Sequence, residues 1–188
     1  MTCILDAKSG KVMPWTALQL AAYTGLDTPV DFIEEGHRYT LGGVPLESVT
    51  GILVAEGFID TAFYTDYGRE RGSFVHLARH LDDTGELDES TIDTVIAPYL
   101  EAWRRFKRES GFVIEQSEVP MASKTYLYAG KPDVTGHFPT GNLKRAAVEL
   151  HDDGSYRLIP FTDRQDWNIW LSILAVHNWK RNLKRRAA

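Results

Sequence analysis

The longest regular pattern of apolar positions lies in the middle of the chain and predicts a helix. Apolar side chains recur there at steps of three and four residues, as they do on one face of an α-helix. These positions are Ile92, Val95, Ile96, Tyr99, Leu100, Trp103 and Phe106. Ser90 and Asp93 resemble a capping box, which predicts that the helix begins there, and Gly111 predicts its end. Pro98 falls inside the pattern and would kink the helix or divide it into two shorter ones.

The same criterion predicts helices before and after this one. Their ranges are 14–24, which Gly25 ends, 48–56, 66–82 and 164–180. The helix over 66–82 carries Phe74, Leu77 and Leu81 on its apolar side. The last helix has apolar side chains at Trp167, Trp170, Leu171, Leu174 and Trp179. Its tryptophans are expected to pack in the core rather than to stack on nucleic-acid bases.

Strand signals occur on both sides of the central helix. Apolar or alternating runs predict strands over 3–8, 112–120, 125–138, 145–151 and 155–161. Two hairpins are predicted, one over 37–46 around Gly42-Gly43 and one around Asp152-Asp153-Gly154. This combination predicts an α+β fold in which a mixed central β-sheet is flanked by α-helices.

Composition limits the class of protein. A chain of 188 residues with 43% hydrophobic residues is expected to form one domain over 1–188. Its single cysteine, Cys3, excludes a disulfide framework and argues against a structural zinc site. No apolar run approaches the ~20 residues that span a bilayer, and the N-terminus lacks a signal-peptide pattern. We therefore expect a cytoplasmic protein without a membrane partner.

The distribution of charge leaves nucleic-acid binding open. The net charge of −5 argues against a generally basic nucleic-acid-binding surface. Basic residues nevertheless cluster in two places. The first cluster is Arg104, Arg105, Lys107 and Arg108, and the second is a C-terminal tail over 181–188 with Lys180 before it. Each cluster fits either a local basic groove or an ordinary solvated helix end or disordered tail.

The N-terminal strand carries the first candidate chemistry. Asp6 and Lys8 are two residues apart, so on a strand their side chains point to the same face. A carboxylate can hold a hard divalent cation, and a neighbouring lysine can orient or deprotonate a water. A turn and then a helix follow, and on this helix Gln19 and Tyr23 share one face at i and i+4. A solvent-facing ion pair on an edge strand is the structural alternative.

Three further polar residues interrupt apolar segments. Asp133 lies inside a strand-like run, where an unpaired buried charge would be expensive unless a metal offset it. Glu118 lies on the preceding strand, and His76 lies on a helix that is otherwise suited to packing. His80 follows His76 by one turn, shares its face of the helix and is a competing candidate.

These segments resemble the PD-(D/E)xK nuclease superfamily, specifically its RecB-type and phage-exonuclease-like branch. In that branch the site combines a Gly-x-x-x-His helix, a glutamate, a Gly-x-x-Asp strand, an Asp-x-Lys strand and a Gln-x-x-x-Tyr helix. The corresponding residues here are Gly72 to His76, Glu118, Gly130 to Asp133, Asp6 to Lys8, and Gln19 to Tyr23. The resemblance covers most of the chain and implies a restriction-endonuclease-like core.

The resemblance implies a DNA nuclease that depends on Mg²⁺ or Mn²⁺ and acts as an exonuclease or in end processing during phage or bacterial recombination. The implied metal ligands are Asp6, Asp133, His76, Glu118 and the main-chain carbonyl of Ala7. The implied catalytic residues are Asp6, Lys8, Asp133, Gln19 and Tyr23. The implied DNA contacts are Arg71, Ser73, Lys131 and Lys11. The expected partner is DNA, alongside a second copy of the chain or a recombination protein.

The order of the motifs departs from the family. In the family the Asp-x-Lys strand and its Gln/Tyr helix follow the Gly-x-x-Asp strand, whereas here they come first. The chain therefore resembles a circular permutant in which residues 1–26 have moved to the front from between about 141 and 142. Residues 27–36 would be the new linker, and 37–180 the remainder of the core. Such a rearrangement is tolerated when the new break falls in an exposed loop.

The residues leave two alternatives open. Asp133 could pair with Glu149 and His151, which keep the family order, although histidine lacks the permanent charge of lysine and no Gln/Tyr helix follows. The chain could also be a catalytically impaired nucleic-acid-binding or structural module with the same fold. Such a permutant could be natural or engineered.

Overall fold

Two mixed β-sheets organise the residues that the computed structural model describes, which are 2–60, 62 and 65–187. The strands are β1 (Cys3–Lys8), β2 (Thr28–Pro29), β3 (Asp31–Ile33), β4 (Arg38–Leu41), β5 (Val44–Ser48), β6 (Val113–Ser117), β7 (Met121–Ser123), β8 (Tyr128–Gly130), β9 (Val134–His137), β10 (Arg145–Leu150) and β11 (Tyr156–Pro160). The helices are α1 (Thr16–Tyr23), α2 (Val49–Ala55), α3 (Asp66–Thr84), α4 (Ala97–Ser110) and α5 (Gln165–Ala187), with a 3₁₀-helix at Glu89–Thr91. The predicted α+β class is confirmed.

The chain divides into two compact units, each assembled from three stretches. The first contains Met1–Thr16, Phe63–Val119 and Pro132–Thr162, and the second contains Ala17–Ala62, Pro120–Lys131 and Asp163–Ala188. Each unit has its own sheet. The prediction of a single central sheet is therefore wrong, because strands that are close in sequence join different sheets.

The first unit is built on a sheet with the strand order β11-β10-β1-β9-β6. β1 runs parallel to β10 and antiparallel to β9, so that Leu5 pairs with Ala146 on one side and with Val134 on the other. β1 and β10 are buried along almost their whole length. A strand buried on both faces needs no polar alternation, which explains the apolar runs over 3–5 in β1 and over 146–148 in β10.

α4 packs against β10 and β11 in the first unit. Its buried side chains include Tyr99, Trp103 and Phe106. The helix begins at Ala97 and not near Ser90 as predicted, and Pro98 occupies its first turn, where a missing N–H removes no helical hydrogen bond. The predicted kink is therefore wrong. Gly111 ends α4 with a φ of 65°, as predicted.

α3 confirms the helix predicted over 66–82 but turns a different face to the core. Val75 and Arg79 are buried, whereas Phe74 and Leu77 are each about half exposed. Arg79 accounts for the difference, because its guanidinium lies 5.4 Å from the centre of the Trp103 ring and binds two acidic side chains, one buried and one partly buried. The inward face of α3 therefore depends on charged contacts, which a count of apolar positions overlooks.

The second unit is built on a sheet with the order β2-β7-β8-β5-β4-β3. Residues 27–36, predicted to be a linker, supply β2 and β3 of this sheet. The predicted strand over 125–138 is two strands, of which β8 belongs to the second unit and β9 to the first. The hairpin predicted around Gly42-Gly43 is confirmed as β4 and β5.

α5 extends further than predicted. It runs from Gln165 to Ala187 and so includes most of the residues that were expected to form a tail. Trp170 is buried as predicted, but Trp179 is 61% exposed, so its assignment to the core is wrong. Within the residues described, none of the helices has both the length and the apolar character that crossing a membrane requires.

The substitution Gly136→Ala tests how closely the strands of the first sheet approach one another. An added Cβ in this residue of β9 would lie 2.2 Å from the carbonyl oxygen of Val113 and 2.7 Å from the ring of Phe112. Since a paired backbone cannot move aside, we expect the free energy of unfolding to fall by about 3 kcal/mol. Gly10→Ala is the control, because nothing lies within 4 Å of its added Cβ. Urea unfolding measures both variants, and equal stabilities would contradict the close approach.

Candidate metal centre

The pairing of β1 with β9 brings the N-terminal motif beside a residue that is distant in sequence. In this antiparallel ladder Ile4 faces Thr135 and Leu5 faces Val134. The next step of the same register sets Asp6 beside Asp133, at the point where β9 begins. β1 and β9 are therefore neighbours in the sheet, as a site shared by Asp6 and Asp133 requires.

Three side chains of the first unit form a compact cluster of possible metal ligands. His76 on α3, Glu118 after β6 and Asp133 before β9 each offer a ligand atom within 4.8 Å of the others. His76 Nδ1 lies 3.5 Å from Asp133 Oδ2 and 3.6 Å from Glu118 Oε1. The competing candidate His80 lies outside this cluster, and its Nδ1 contacts the Ser117 hydroxyl at 3.0 Å.

Asp133 is fixed in place by three neighbours. Its Oδ2 accepts a hydrogen bond of 2.8 Å from the amide of Ala7. Its main-chain carbonyl accepts hydrogen bonds from the amide of Glu118 at 3.0 Å and from the guanidinium of Arg79 at 3.2 Å. Asp133 lies directly before β9 and not inside a strand as predicted. This position releases its side chain from the strict alternation of a strand, so the carboxylate can reach the backbone of β1.

Asp6 is buried next to this cluster and is only partly satisfied. Its Oδ1 pairs with Lys8 Nζ at 2.9 Å, and its side chain is 3% exposed. Its Oδ2 is buried and has no hydrogen-bond partner among the residues described. Such an oxygen costs free energy that a bound cation would recover. Because β1 is a central strand, the alternative of an exposed pair on an edge strand is wrong.

The pKa values of Asp6 and of His76 are both raised. Burial raises the pKa of Asp6 from 3.8 to about 6, Lys8 opposes this shift, and the negative charge of Asp133 adds to it. The pKa of His76 is raised, chiefly by the Asp133 carboxylate, against the opposing effect of burial. Three carboxylates here face two permanent cations, a lysine and a buried arginine. Because both shifts favour the protonated form, a divalent cation would compete with protons for Asp6 and His76.

Glu118 is held by Arg79, a residue that the sequence analysis missed. Arg79 is 1% exposed and donates a hydrogen bond of 2.5 Å to Glu118 Oε1. Glu118 follows a strand with an irregular register and has a φ of 55°, a left-handed conformation that is costly for a residue with a side chain. The spacing in the sequence could have indicated this role, because Arg79 follows His76 by three residues and so lies near it on the same helix face.

The alternative that keeps the family order does not form a shared cluster in the described part of the chain. Glu149 lies on β10, and β1 separates that strand from β9. Its carboxylate accepts a hydrogen bond of 3.1 Å from the amide of Val12 and pairs with Arg157 at 2.7 Å. The three residues Asp133, Glu149 and His151 therefore do not converge on a common site.

Three of the predicted site residues belong to the second unit. Gln19 Nε2 donates a hydrogen bond of 2.9 Å to Tyr23 Oη, which confirms that the two side chains share one helix face. Lys131 Nζ lies 5.4 Å from the centre of the Phe32 ring. The roles of Gln19 and Tyr23 in catalysis, and of Lys131 in DNA binding, stay predictions.

The other predicted DNA contacts lie in the first unit. Arg71 packs against two tyrosine rings and donates a hydrogen bond of 3.1 Å to the carbonyl of Ser9. Ser73 is exposed and donates to a carbonyl of its own helix. Lys11 is exposed and lines a cavity of about 300 Å³ together with Ser9 and Glu149. Contact of these side chains with DNA stays a prediction.

The basic cluster of α4 is paired with acidic side chains. Arg104 and Lys107 both bind Asp82, at 2.6 and 2.8 Å. Arg105 binds Glu109, one turn along the same helix, at 2.7 Å. These ion pairs neutralise the positive charges of the cluster within the first unit. They favour the interpretation of α4 as an ordinary solvated helix over that of a basic groove.

The cluster is chemically suited to hold a divalent cation. Glu118 and Asp133 supply carboxylate oxygens and His76 supplies an imidazole nitrogen, while the ion pair of Asp6 and Lys8 adds a further carboxylate and a positive charge. No known family profile matches this chain, and no curated protein sequence is significantly similar to it. The chemistry of the site therefore follows from its own side chains and their spacing.

The raised pKa of Asp6 predicts how the stability of the metal-free protein changes with pH. Its folded-state pKa of about 6 lies above the ordinary value of 3.8, so the folded state binds this proton more tightly than the unfolded state. The stability that the protonated carboxyl contributes is complete below the ordinary value and is lost as the pH rises through about 6. Asp6→Asn removes this titration. We expect the variant to gain up to about 3 kcal/mol over the wild type as the pH rises.

Thermal unfolding in EDTA, at steps from acidic to alkaline pH, measures this difference. Asp152→Asn is the matched control, because the same change is made at an exposed residue. A stability difference between wild type and Asp6→Asn that stays constant across the whole range would contradict the assignment.

Proposed function

We propose that this protein is a divalent-metal-dependent deoxyribonuclease of the PD-(D/E)xK type. The observation that carries the proposal is the position of β1, which brings Asp6 and Lys8 beside the cluster of His76, Glu118 and Asp133. Four of the five motifs that resemble the family contain these residues, and the fifth, the Gln19–Tyr23 helix, belongs to the second unit. Exonuclease or end-processing activity on DNA is the form that this resemblance implies.

The strand order supports the permuted arrangement of the motifs. β9 and β10 follow one another in sequence, yet β1 lies between them in the sheet. Residues 3–8 would occupy this same position if they were inserted between 141 and 142. β1 is also parallel to β10, and consecutive parallel strands need a crossover connection such as the helix α1 that follows β1.

Three carboxylates and one imidazole of the first unit would hold the cation. Asp6, Asp133 and His76 are the proposed ligands, together with Glu118. The main-chain carbonyl of Ala7 faces the same edge of β1 as the amide that binds Asp133, and it would be a further ligand. When bound, a divalent cation polarises a phosphoryl oxygen and lowers the pKa of water. Oxygen ligands with one imidazole suit Mg²⁺ and also Mn²⁺.

Lys8 would supply a fixed positive charge at the site of reaction. Its ammonium lies 2.9 Å from the carboxylate of Asp6, and its side chain is 30% exposed. It is therefore anchored on one side and open to solvent on the other. In this position it would orient the attacking water and offset the negative charge that develops on the phosphate in the transition state.

Loss of a ligand or of the lysine should abolish cleavage. We expect Asp133→Asn and Lys8→Ala each to slow Mn²⁺-dependent degradation of linear DNA by at least about 100-fold, because each removes a group that acts in the transition state. Circular dichroism checks that both variants fold. Glu86→Gln and Lys144→Ala are matched controls at exposed positions of the first unit and should cut as fast as the wild type. Wild-type cleavage that persists in excess EDTA would refute the mechanism.

Calorimetry with Mn²⁺ separates a nuclease from a binding module of the same fold. We expect the wild type to bind Mn²⁺ and Asp6→Ala to lose this binding, because the variant removes a buried carboxylate. Affinity should rise with pH as the Asp6 carboxyl and the His76 imidazole lose their protons, since both groups have raised pKa values. A wild-type protein that binds no Mn²⁺ would favour the module.

A further inference from the structure

A line of alternating charges begins at Glu118, passes through the interior of the first unit and ends at Asp82. Glu118 pairs with Arg79 at 2.5 Å, and Arg79 pairs with Asp83 at 2.9 Å. Asp83 binds Lys107 at 2.8 Å, and Lys107 binds Asp82 at 2.8 Å. The side chains of Arg79 and Asp83 are 1% and 0% exposed, so solvent does not screen this part of the line.

The guanidinium of Arg79 is fixed in position and orientation. It lies over the ring of Trp103, whose indole N–H donates a hydrogen bond of 2.8 Å to Asp83. One terminal nitrogen of Arg79 donates to Asp83, and the other donates both to Glu118 and to the main-chain carbonyl of Asp133. A different rotamer would break several buried, charge-assisted hydrogen bonds at once.

Glu118 depends on this support because of its backbone. Its φ of 55° lies in the left-handed region, which a non-glycine residue occupies only when its surroundings enforce it. Its amide donates to the carbonyl of Asp133 at 3.0 Å, and its Oε1 lies between Arg79 at 2.5 Å and His76 at 3.6 Å. Arg79 thus binds two members of the cluster. It binds the side-chain carboxylate of Glu118 and the main-chain carbonyl of Asp133.

We propose that Arg79 is a positioning residue of the metal centre. It holds the carboxylate of Glu118 toward His76 and Asp133 before any cation binds, and so preorganises the set of ligands. Arg79 acts through these residues and does not touch the cation or the DNA. The inference rests on the proposed metal centre, but it applies equally to a protein that binds metal without cutting DNA.

Metal affinity distinguishes this role from a purely structural one. Disruption of a buried ion pair lowers stability in either case, so stability alone decides nothing. We expect Arg79→Lys, which keeps the charge but loses the two-armed geometry, to weaken Mn²⁺ binding by about 10- to 100-fold in titration calorimetry. Arg104→Lys is the matched control, because Arg104 binds Asp82 at the far end of the same line of charges. This variant should keep the wild-type affinity for Mn²⁺.

A double-mutant cycle tests whether Arg79 acts through Glu118. Once Glu118→Gln has removed the ligand, Arg79→Lys should cost little further affinity, so the two losses should not add. Wild-type affinity in Arg79→Lys, or strictly additive losses, would overturn the proposal. Arg79→Gln replaces Arg79→Lys if the latter does not fold. If neither folds, a crystal structure of the wild type with Mn²⁺ decides: Glu118 bridging Arg79 and the ion supports the proposal, and Glu118 turned away from Arg79 overturns it.

Cleavage assays on the same proteins keep this inference separate from the proposed function. A wild type that binds Mn²⁺ but leaves DNA intact would refute the nuclease, while the calorimetric comparison of Arg79→Lys with Arg104→Lys would still decide the role of Arg79. A wild type that binds no Mn²⁺ would overturn both proposals.

Discussion

The fold of the first unit and its candidate site both depend on the pairing of β1 on its two edges. β10 lies along one edge and β9 along the other. Cys3, Leu5 and Ala7 pack into the hydrophobic core, so Asp6 and Lys8 share the opposite face of the strand. A shift in register by one residue would exchange these faces and bury the lysine in the core. The apolar residues of β1 therefore also determine where its charged residues point.

The site concentrates negative charge in a place where charge is expensive. Asp6 is buried with one orphaned oxygen, and the carboxylates of Glu118 and Asp133 lie within reach of one imidazole. Lys8 and Arg79 offset part of this charge. Burial is the main cause of the raised pKa of Asp6, and the negative charge of Asp133 adds to it. This excess of negative charge would lower the stability of the metal-free protein and favour the binding of a divalent cation. Such a trade of stability against function is common.

The connection between the two sheets explains the position of Asp133. The apolar run over 125–138 supplies β8 to the sheet of the second unit and β9 to the sheet of the first. Asp133 lies in the short connection that joins these strands. Hydrogen bonds to Ala7, Glu118 and Arg79 anchor it there. A residue at such a strand end can turn its carboxylate toward the backbone of the neighbouring strand, here the amide of Ala7, whereas side chains within a strand alternate between the two faces of the sheet.

The amino-acid sequence by itself determined the elements that depend on near neighbours. These include the strand over 3–8, the helix over 66–82, the hairpin at Gly42-Gly43 and the stop at Gly111. Residue type and spacing also sufficed to name Asp6, Lys8, His76, Glu118 and Asp133 as candidates. Only the tertiary structure decided which face of α3 turns inward, how the run over 125–138 divides between two sheets, and that Arg79 supports Glu118. The reason is distance along the chain: Ala7 binds Asp133 across 126 positions and Arg79 binds Glu118 across 39, and no local pattern encodes contacts of that range.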